Sequence, residues 1–465
     1  MTMAAPDQRV HAVVTRVVGG RAWKRLLLVL VIGYSTAHLG YSIAQYNPIT
    51  SPYASGDFRR AYDEMLQWRK TGALDPHEVL HPPFYYIVLR PLAPLGFASV
   101  VRVVYVSQFI WYILAVVLMV RAASGGSKPS AGDYLLAGVL TVNFQPFLET
   151  MALHKVEGLE LFLICLAIDL FRRGRDALAG AVVALGANLK YLPGILGLYF
   201  VVKRERRAIL GLLAASAVCA LISLAAMSGP GTGWVSILRY PIQLLAGHQH
   251  EGNRPEASME FQTLSGTVNR ALVDAEGMRR HFSSQAYVPV GAPGLALWLA
   301  AILKLGGVFL YIALMRTRWT VQARQARWPV VLCELSVTLI MIFIIAQASR
   351  VHYAILLLPA FVSAALVLRR YPALLGWPER LLFAFAYGLT AMLIPGGLLN
   401  QLPPHPVWGP DHSYAYLWYS LPFYGYLLLG ACLLRCRARL LRSFGDDQPA
   451  AAPAARAERA GMAVG

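Results

Sequence analysis

Apolar runs of up to about 25 residues, long enough to cross a bilayer, follow one another along almost the whole chain, and the polar stretches between them alternate between Lys/Arg-rich and Lys/Arg-poor. A chain patterned this way is expected to be an all-α polytopic membrane protein. Composition agrees, since 57% of the 465 residues are hydrophobic and 14% charged, against roughly 25% charged in an ordinary soluble domain. The net charge of +18 does not point to nucleic acid. Lys and Arg fall in short clusters between apolar runs, form no continuous basic face, and read as topology determinants and contacts to membrane lipids. The cysteines Cys165, Cys219, Cys333, Cys432 and Cys436 have no zinc or disulfide spacing and read as inert.

Basic clusters mark the cytoplasmic side. Arg9, Arg16, Arg21, Lys24 and Arg25 precede the first run, 26–42, which lacks a small-residue cleavage pattern and is expected to be a retained anchor delivering an outer loop at 44–98. Runs at 100–120, 134–148 and 156–171 return the chain to Arg121 and Lys128, then lead it to Arg172, Arg173 and Arg175. The run 177–202 has basic clusters at both ends, the second being Lys203, Arg204, Arg206 and Arg207. One crossing would put one cluster outside, so two short helices are predicted, meeting near Asn188, Leu189 and Lys190, with Pro193 opening the second. Lys190 then sits at an outer apex. After 209–227 comes a second outer loop, 228–292, and runs at 295–315, 330–346, 353–368, 381–394 and 416–434 place Arg316, Arg318, Arg324, Arg327, Arg369, Arg370, Arg380 and the basic residues of 435–442 inside. The expectation is about twelve membrane segments, including short broken helices, with two large outer loops and both termini cytoplasmic. Residues 1–443 form the membrane domain, and 444–465, Ala, Pro and charge without periodicity, a disordered tail.

Polar groups expected on the outer face are the candidates for chemistry. Asp57, just ahead of the amphipathic stretch 58–68, suits either a helix N-cap or a general base. His81, Pro82, Pro83, Phe84, Tyr85 and Tyr86, followed by Arg90, Pro91 and Pro94, form a rigid aromatic segment that reads as an interfacial belt or a shaped binding surface. Glu149, His154, Lys155, Glu157 and Glu160 gather where charge is costly unless hydrated, paired or functional; a salt-bridged hairpin is the plainer account. Lys190, in a broken helix, needs an anion, a carbonyl or water and suits a phosphate as a point charge. Gln262, Thr263, Leu264, Ser265, Gly266 and Arg270 form a compact polar motif, and Arg350, His352 and Tyr353 open a later run. His248, His250 and His281 lack acidic partners at metal-ligand spacing and read as solvated; no metal or other cofactor is called for.

At these residues the chain resembles the GT-C membrane glycosyltransferases, specifically glycosyltransferase family 87, of the polyprenol-phosphate-mannose-dependent alpha-1,2-mannosyltransferase type. The resemblance runs over about 51–359. It rests on Gly56-Asp57-Phe58, the Pro82-Pro83 and Pro91-Leu92 segment, Lys190 with Pro193 before a basic cluster, Gln262-Thr263-Leu264 with Gly266 and Arg270, and 349–352 leading into Leu356-Leu357-Leu358-Pro359. His154-Lys155-Val156-Glu157 stands where the family often has a Gly-Gln-Val-Asn type turn. The resemblance implies a GT-C-like fold and an inverting transfer of a sugar, mannose by family expectation, from a polyprenyl-phosphate donor to a lipid or glycan acceptor. It implies catalytic roles for Asp57, as general base, and His352. Lys190, Arg270 and Arg350 are expected to bind the donor phosphate, and His81, Tyr85, Glu157 and Gln262 to contact substrate. The sequence shows no phosphate-binding glycine loop and no sizeable cytoplasmic domain, which agrees with a lipid-linked donor in place of a nucleotide sugar. Two competing readings are a transporter or lipid flippase, which would place polar groups at mid-membrane in paired broken helices, and an envelope scaffold. A single site requires Asp57, Lys190 and His352 to lie within about 15 Å of one another.

Overall fold

The computed structural model describes residues 21–45, 56–71, 81–153, 156–227, 256–257, 261–273, 288–346, 349–392, 417 and 419–446. His154, Lys155, His248, His250, His281, most of the second loop, the tail beyond 446 and the side chain of Asp57 lie outside the described residues.

Helices dominate. In chain order they are α1 (Arg21–Gln45), α2 (Gly56–Thr71), α3 (Pro83–Leu89), α4 (Phe97–Ala123), α5 (Ala131–Val142), α6 (Gln145–Ala152), α7 (Glu157–Arg172), α8 (Asp176–Leu189), α9 (Ile195–Lys203) and α10 (Arg206–Met227). Then come α11 (Leu264–Ala271), α12 (Pro293–Met315), α13 (Val321–Ala326), α14 (Trp328–Ile345), α15 (Leu358–Arg370), α16 (Trp377–Thr390) and α17 (Leu421–Asp446). Two two-residue strands, Glu256–Ala257 and Val288–Pro289, pair antiparallel. Five stretches among the described residues are long and apolar enough to cross a membrane: α4, Arg206–Ala226 in α10, α12, α14 and Val351–Arg370.

Three predicted runs differ from the helices observed. Run 134–148 is two helices, because the Asn143 amide turns back onto the Val139 carbonyl and Ser35 Oγ, and Pro146 starts a new helix in its first turn. Run 353–368 opens as a 3₁₀ turn, Val351–Leu357, before Pro359 begins α15. The last helix does not stop at 434 but continues through Arg435, Arg437 and Arg439 to Asp446. The predicted break at Lys190 is present: α8 ends at Leu189, and a 3₁₀ turn with Pro193 precedes α9. Its two arms return to the same level, since Asp176 at the start of α8 and Glu205 just after α9 both pair with Arg324. A helical hairpin requires this.

The bundle has two chemically different ends. At one, the buried carboxylates among the described residues are gripped by cations: Asp133 by Arg369 and Arg370, Asp169 by Arg172 and Arg173, Asp176 by Arg324, Glu334 by Lys203 and Arg437, and Glu379 by Arg435 and Arg439. Glu334 also accepts from Tyr199 Oη and Trp319 Nε1, joining α9, α14, α17 and the segment before α13. Pairing of this kind offsets the several kcal/mol, roughly, that a buried charge costs alone. The main core, with α14 and α15 almost wholly inside it, runs from there to the opposite end. Outward, α10 and α12 present Leu213, Leu221, Leu297, Trp298 and Phe309, an apolar surface suited to lipid. At the opposite end α2 lies over a second core, with Phe58, Ala61, Tyr62, Met65 and Trp68 on one face at helical spacing, packed with Tyr85, Tyr86, Leu89, Val100 and Val104.

Candidate active site

The end opposite the arginine-rich one gathers a second set of buried ionisable groups. Its foundation is the start of α7. First-turn N–H groups of a helix lack partners in their own helix, and here the Gly158 N–H donates to Gln108 Oε1 of α4 at 2.9 Å. A Cβ at position 158 would overlap that oxygen, so only glycine permits the approach. Three residues apart on the helix so anchored, Glu157 and Glu160 share a face. Both are fully buried.

Lys190 meets them from the break after α8, where its backbone turns extended. Its Nζ lies 2.6 Å from Glu157 Oε1, 3.7 Å from Glu160 Oε1 and 4.4 Å from the centre of the Tyr353 ring. Burial alone would drive this ammonium toward its neutral form; Glu157, Tyr353 and Glu160 outweigh burial and hold its pKa well above the usual value. His352 stands on the other side of Glu157, with Nε2 3.8 Å from Glu157 Oε1 and Nδ1 3.8 Å from Glu149 Oε1. Glu149, Glu157, Glu160, Lys190 and His352 thus form one continuous chain of ionisable groups. Tyr85 is close enough to feel Lys190, Glu157, Glu160 and Tyr353, and burial keeps its phenol above its ordinary pKa, so it stays a hydroxyl donor. His81 stacks on Tyr85 at 4.2 Å. Tyr86 donates to Glu64 at 2.6 Å, tying α3 to α2.

A second group adjoins the first through backbone pairing. Phe261 bridges to Arg350, and the Gln262 N–H donates to the Ser349 carbonyl at 3.0 Å. Arg270 holds this segment in place, donating from Nη1 to the Phe261 carbonyl at 2.7 Å and from Nη2 to Ser420 Oγ at 2.5 Å. Thr263 caps α11 by accepting from the Gly266 N–H, and a Cβ at Gly266 would overlap the Phe261 carbonyl. Gln262 Nε2 donates to the Leu417 carbonyl.

Of the residues predicted from sequence, Tyr85, Glu157, Lys190 and His352 converge, with His81 stacked behind. Arg350, Gln262 and Arg270 shape the segment that carries His352. Lys190 has two carboxylates as partners, and Arg270 has the Phe261 carbonyl and Ser420. Asp57 is the second residue of α2, inside the helix rather than ahead of it as an N-cap. Sequence reasoning missed Gln108 and Ser420; a lone glutamine in an apolar run was the one signal for Gln108, since a polar group there needs a partner.

The sequence profile of glycosyltransferase family 87 matches residues 80–343, more than half of the chain. The chain belongs to glycosyltransferase family 87. Membership together with the apolar helices makes it a membrane glycosyltransferase, with a sugar donor and an acceptor as substrates. No curated protein matches the sequence. The family match takes in His81, Tyr85, Glu149, Glu157, Glu160, Lys190, Gln262 and Arg270, while Asp57, Arg350 and His352 flank it.

Proposed function

We propose that this glycosyltransferase moves a sugar, mannose by family expectation, from a polyprenyl-phosphate donor to a lipid or glycan acceptor at the outer membrane face, with inversion at the anomeric carbon. The observation that carries the reading is the convergence of Tyr85, Glu157, Lys190 and His352 at the end of the bundle away from the arginine-rich clusters. By the positive-inside rule the arginine-rich end is cytoplasmic, with both termini on that side, and the site faces out. A donor anchored in the bilayer reaches such a site by lateral diffusion.

In the proposed reaction Asp57 takes the acceptor hydroxyl proton, the oxygen bonds to the anomeric carbon, and the bond from that carbon to the phosphate oxygen breaks. Arg350, half-buried beside the site, and His352 offset the charge on the leaving polyprenyl phosphate. Lys190 acts through Glu157 and Glu160, fixing their orientation. Tyr85 and Glu157 supply a donor and an acceptor for sugar hydroxyls, with His81 and Gln262 lining the approach.

The test is transfer of radiolabelled mannose from polyprenyl-phosphate mannose in vesicles, comparing wild type with Asp57→Asn at matched folding. Loss of about 10²–10⁴-fold is expected for a missing general base. Equal rates would remove Asp57 from the mechanism. Transfer by wild type from a different lipid-phosphate sugar, and not from this one, would replace the donor sugar.

A further inference from the structure

We propose that Ser420 is a positioning residue of the transfer site, fixing through Arg270 the segment that carries Arg350 and His352; the inference rests on the transferase reading above. Its backbone is the first sign. Ser420 has φ 58, a left-handed conformation that glycine adopts freely and other residues only with strain. Among the described residues, Arg204 and Met392 share this conformation, but Arg204 closes α9 and Met392 follows the Ala391 cap of α16, and helices commonly end on a left-handed residue. Ser420 instead stands immediately before α17, where the residue ahead of a helix is ordinarily extended. A strained residue persists where the surrounding structure holds it, and such residues cluster at functional sites.

The hydroxyl is what this conformation delivers. Ser420 is 2% exposed, and its Oγ accepts from Arg270 Nη2 at 2.5 Å and from Nε at 3.2 Å. From the same guanidinium, Nη1 donates to the Phe261 carbonyl at 2.7 Å, so one rigid fork spans the two segments. A second tie lies beside it: the Leu417 carbonyl accepts from the Ser420 N–H at 3.0 Å and from Gln262 Nε2 at 2.8 Å. Phe261 in turn bridges to Arg350, and the Gln262 N–H donates to the Ser349 carbonyl at 3.0 Å, just ahead of His352. The start of α17 thus holds the segment of Arg350 and His352 at two points, and does so from beyond the family-matched residues 80–343. Ser420 acts on the reaction only through Arg270. Without its Oγ, Arg270 keeps the Phe261 carbonyl but loses this anchor on α17, and the segment before His352 gains room to shift.

Ser420→Ala and Ser420→Gly both remove Oγ and differ in backbone, since Gly releases the strain of φ 58 and Ala keeps it. Transfer from polyprenyl-phosphate mannose and thermal unfolding in detergent are measured for wild type, both variants, Arg270→Lys and the double variant Ser420→Ala with Arg270→Lys. Ser420→Gly should melt above Ser420→Ala, yet both should lose kcat alike, on the order of 10²-fold for a displacement of about 1 Å at the reacting groups. The double variant should lose no more than Arg270→Lys alone, which keeps the charge but gives up the fork. Wild-type kcat in Ser420→Ala would overturn the role. So would recovery of transfer in Ser420→Gly in step with its melting, because that marks a structural role, or losses that multiply in the double variant, because Ser420 would then not act through Arg270. If wild type itself transfers nothing from this donor, the donor reading fails and this role fails with it; transfer by wild type alongside an undisturbed Ser420→Ala sinks the role of Ser420 alone.

Discussion

Replacing Gly158 by Ala tests the foundation of the site with a single methyl group. The added Cβ would overlap Gln108 Oε1 and lie 3.2 Å from Gln108 Cδ and 3.3 Å from Tyr112 Cε2. Gln108 is 1% exposed, so its amide has little room to turn away. If it does turn, the 2.9 Å bond to the Gly158 N–H is lost with both groups buried, at a cost of about 1–3 kcal/mol. If α7 moves instead, overpacking costs about 1–3 kcal/mol and Glu157 leaves its position against Lys190. The better helix propensity of Ala returns roughly 0.5–1 kcal/mol, too little to reverse the sign. A displacement of about 1 Å at a reacting group lowers rate on the order of 10²-fold, so transfer should fall more steeply than stability. Thermal unfolding and transfer are to be measured for Gly158→Ala, Gln108→Ala and the double variant. Because Gln108→Ala removes the atom that clashes, the double variant should recover part of the lost stability, with a coupling of about 0.5–3 kcal/mol. Wild-type melting and transfer in Gly158→Ala, or strict additivity in the double variant, would refute the reasoning.

Lys190→Met leaves Glu157 and Glu160 buried with their cation gone and should cost about 3–5 kcal/mol in unfolding experiments; melting like wild type would show that the pair does not hold the break in place. Gly180→Ala sets a Cβ against the Ala208 carbonyl of α10, backbone that cannot rotate aside, and 2.9 Å from the Leu212 nitrogen, so it should destabilise by about 1–3 kcal/mol. Gly138→Ala, whose Cβ meets nothing within 4 Å, should instead be neutral or stabilising by up to about 1 kcal/mol, and equal melting of the two variants would contradict the packing described. Burial pushes the Glu379 carboxyl up, but the Arg435 hydrogen bond, a backbone N–H and Arg439 more than offset it and hold its pKa below the ordinary 4.5. A carboxyl depressed in the folded state adds stability that is complete above its unfolded pKa and lost as pH falls through its folded one. The melting advantage of wild type over Glu379→Gln should therefore shrink as pH drops below 4.5, and an advantage constant with pH would rule out this linkage.

Much of the architecture follows from local pattern. Span-length apolar runs make helices because the backbone in hydrocarbon must satisfy itself, and the hairpin of α8 and α9 follows from two basic clusters that cannot sit on opposite sides, with Pro193 marking the break. The break within 134–148 is partly local, with Asn143 bonded to the Val139 carbonyl and Pro146 opening the next helix, and partly distant, with Asn143 reaching Ser35 more than a hundred positions away. The amphipathic face of α2 was equally local, with Phe58, Tyr62, Met65 and Trp68 at helical spacing.

Which charges meet was not local at all. Glu149, Glu157 and Glu160 stand close together in the sequence and Lys190 and His352 were each conspicuous, but an unpaired charge in an apolar run says only that it needs a partner. Packing alone sets their partners: α7 against α8 brings two carboxylates to Lys190, and the Phe261 carbonyl and Ser420 accept from the Arg270 guanidinium. Hydrophobic periodicity and charge sign determined the helices and separated an arginine-rich end from the other. The partners of each buried ion depended on how the helices dock, because a charge in low dielectric pairs with whatever opposite charge the three-dimensional packing sets within a few ångströms of it.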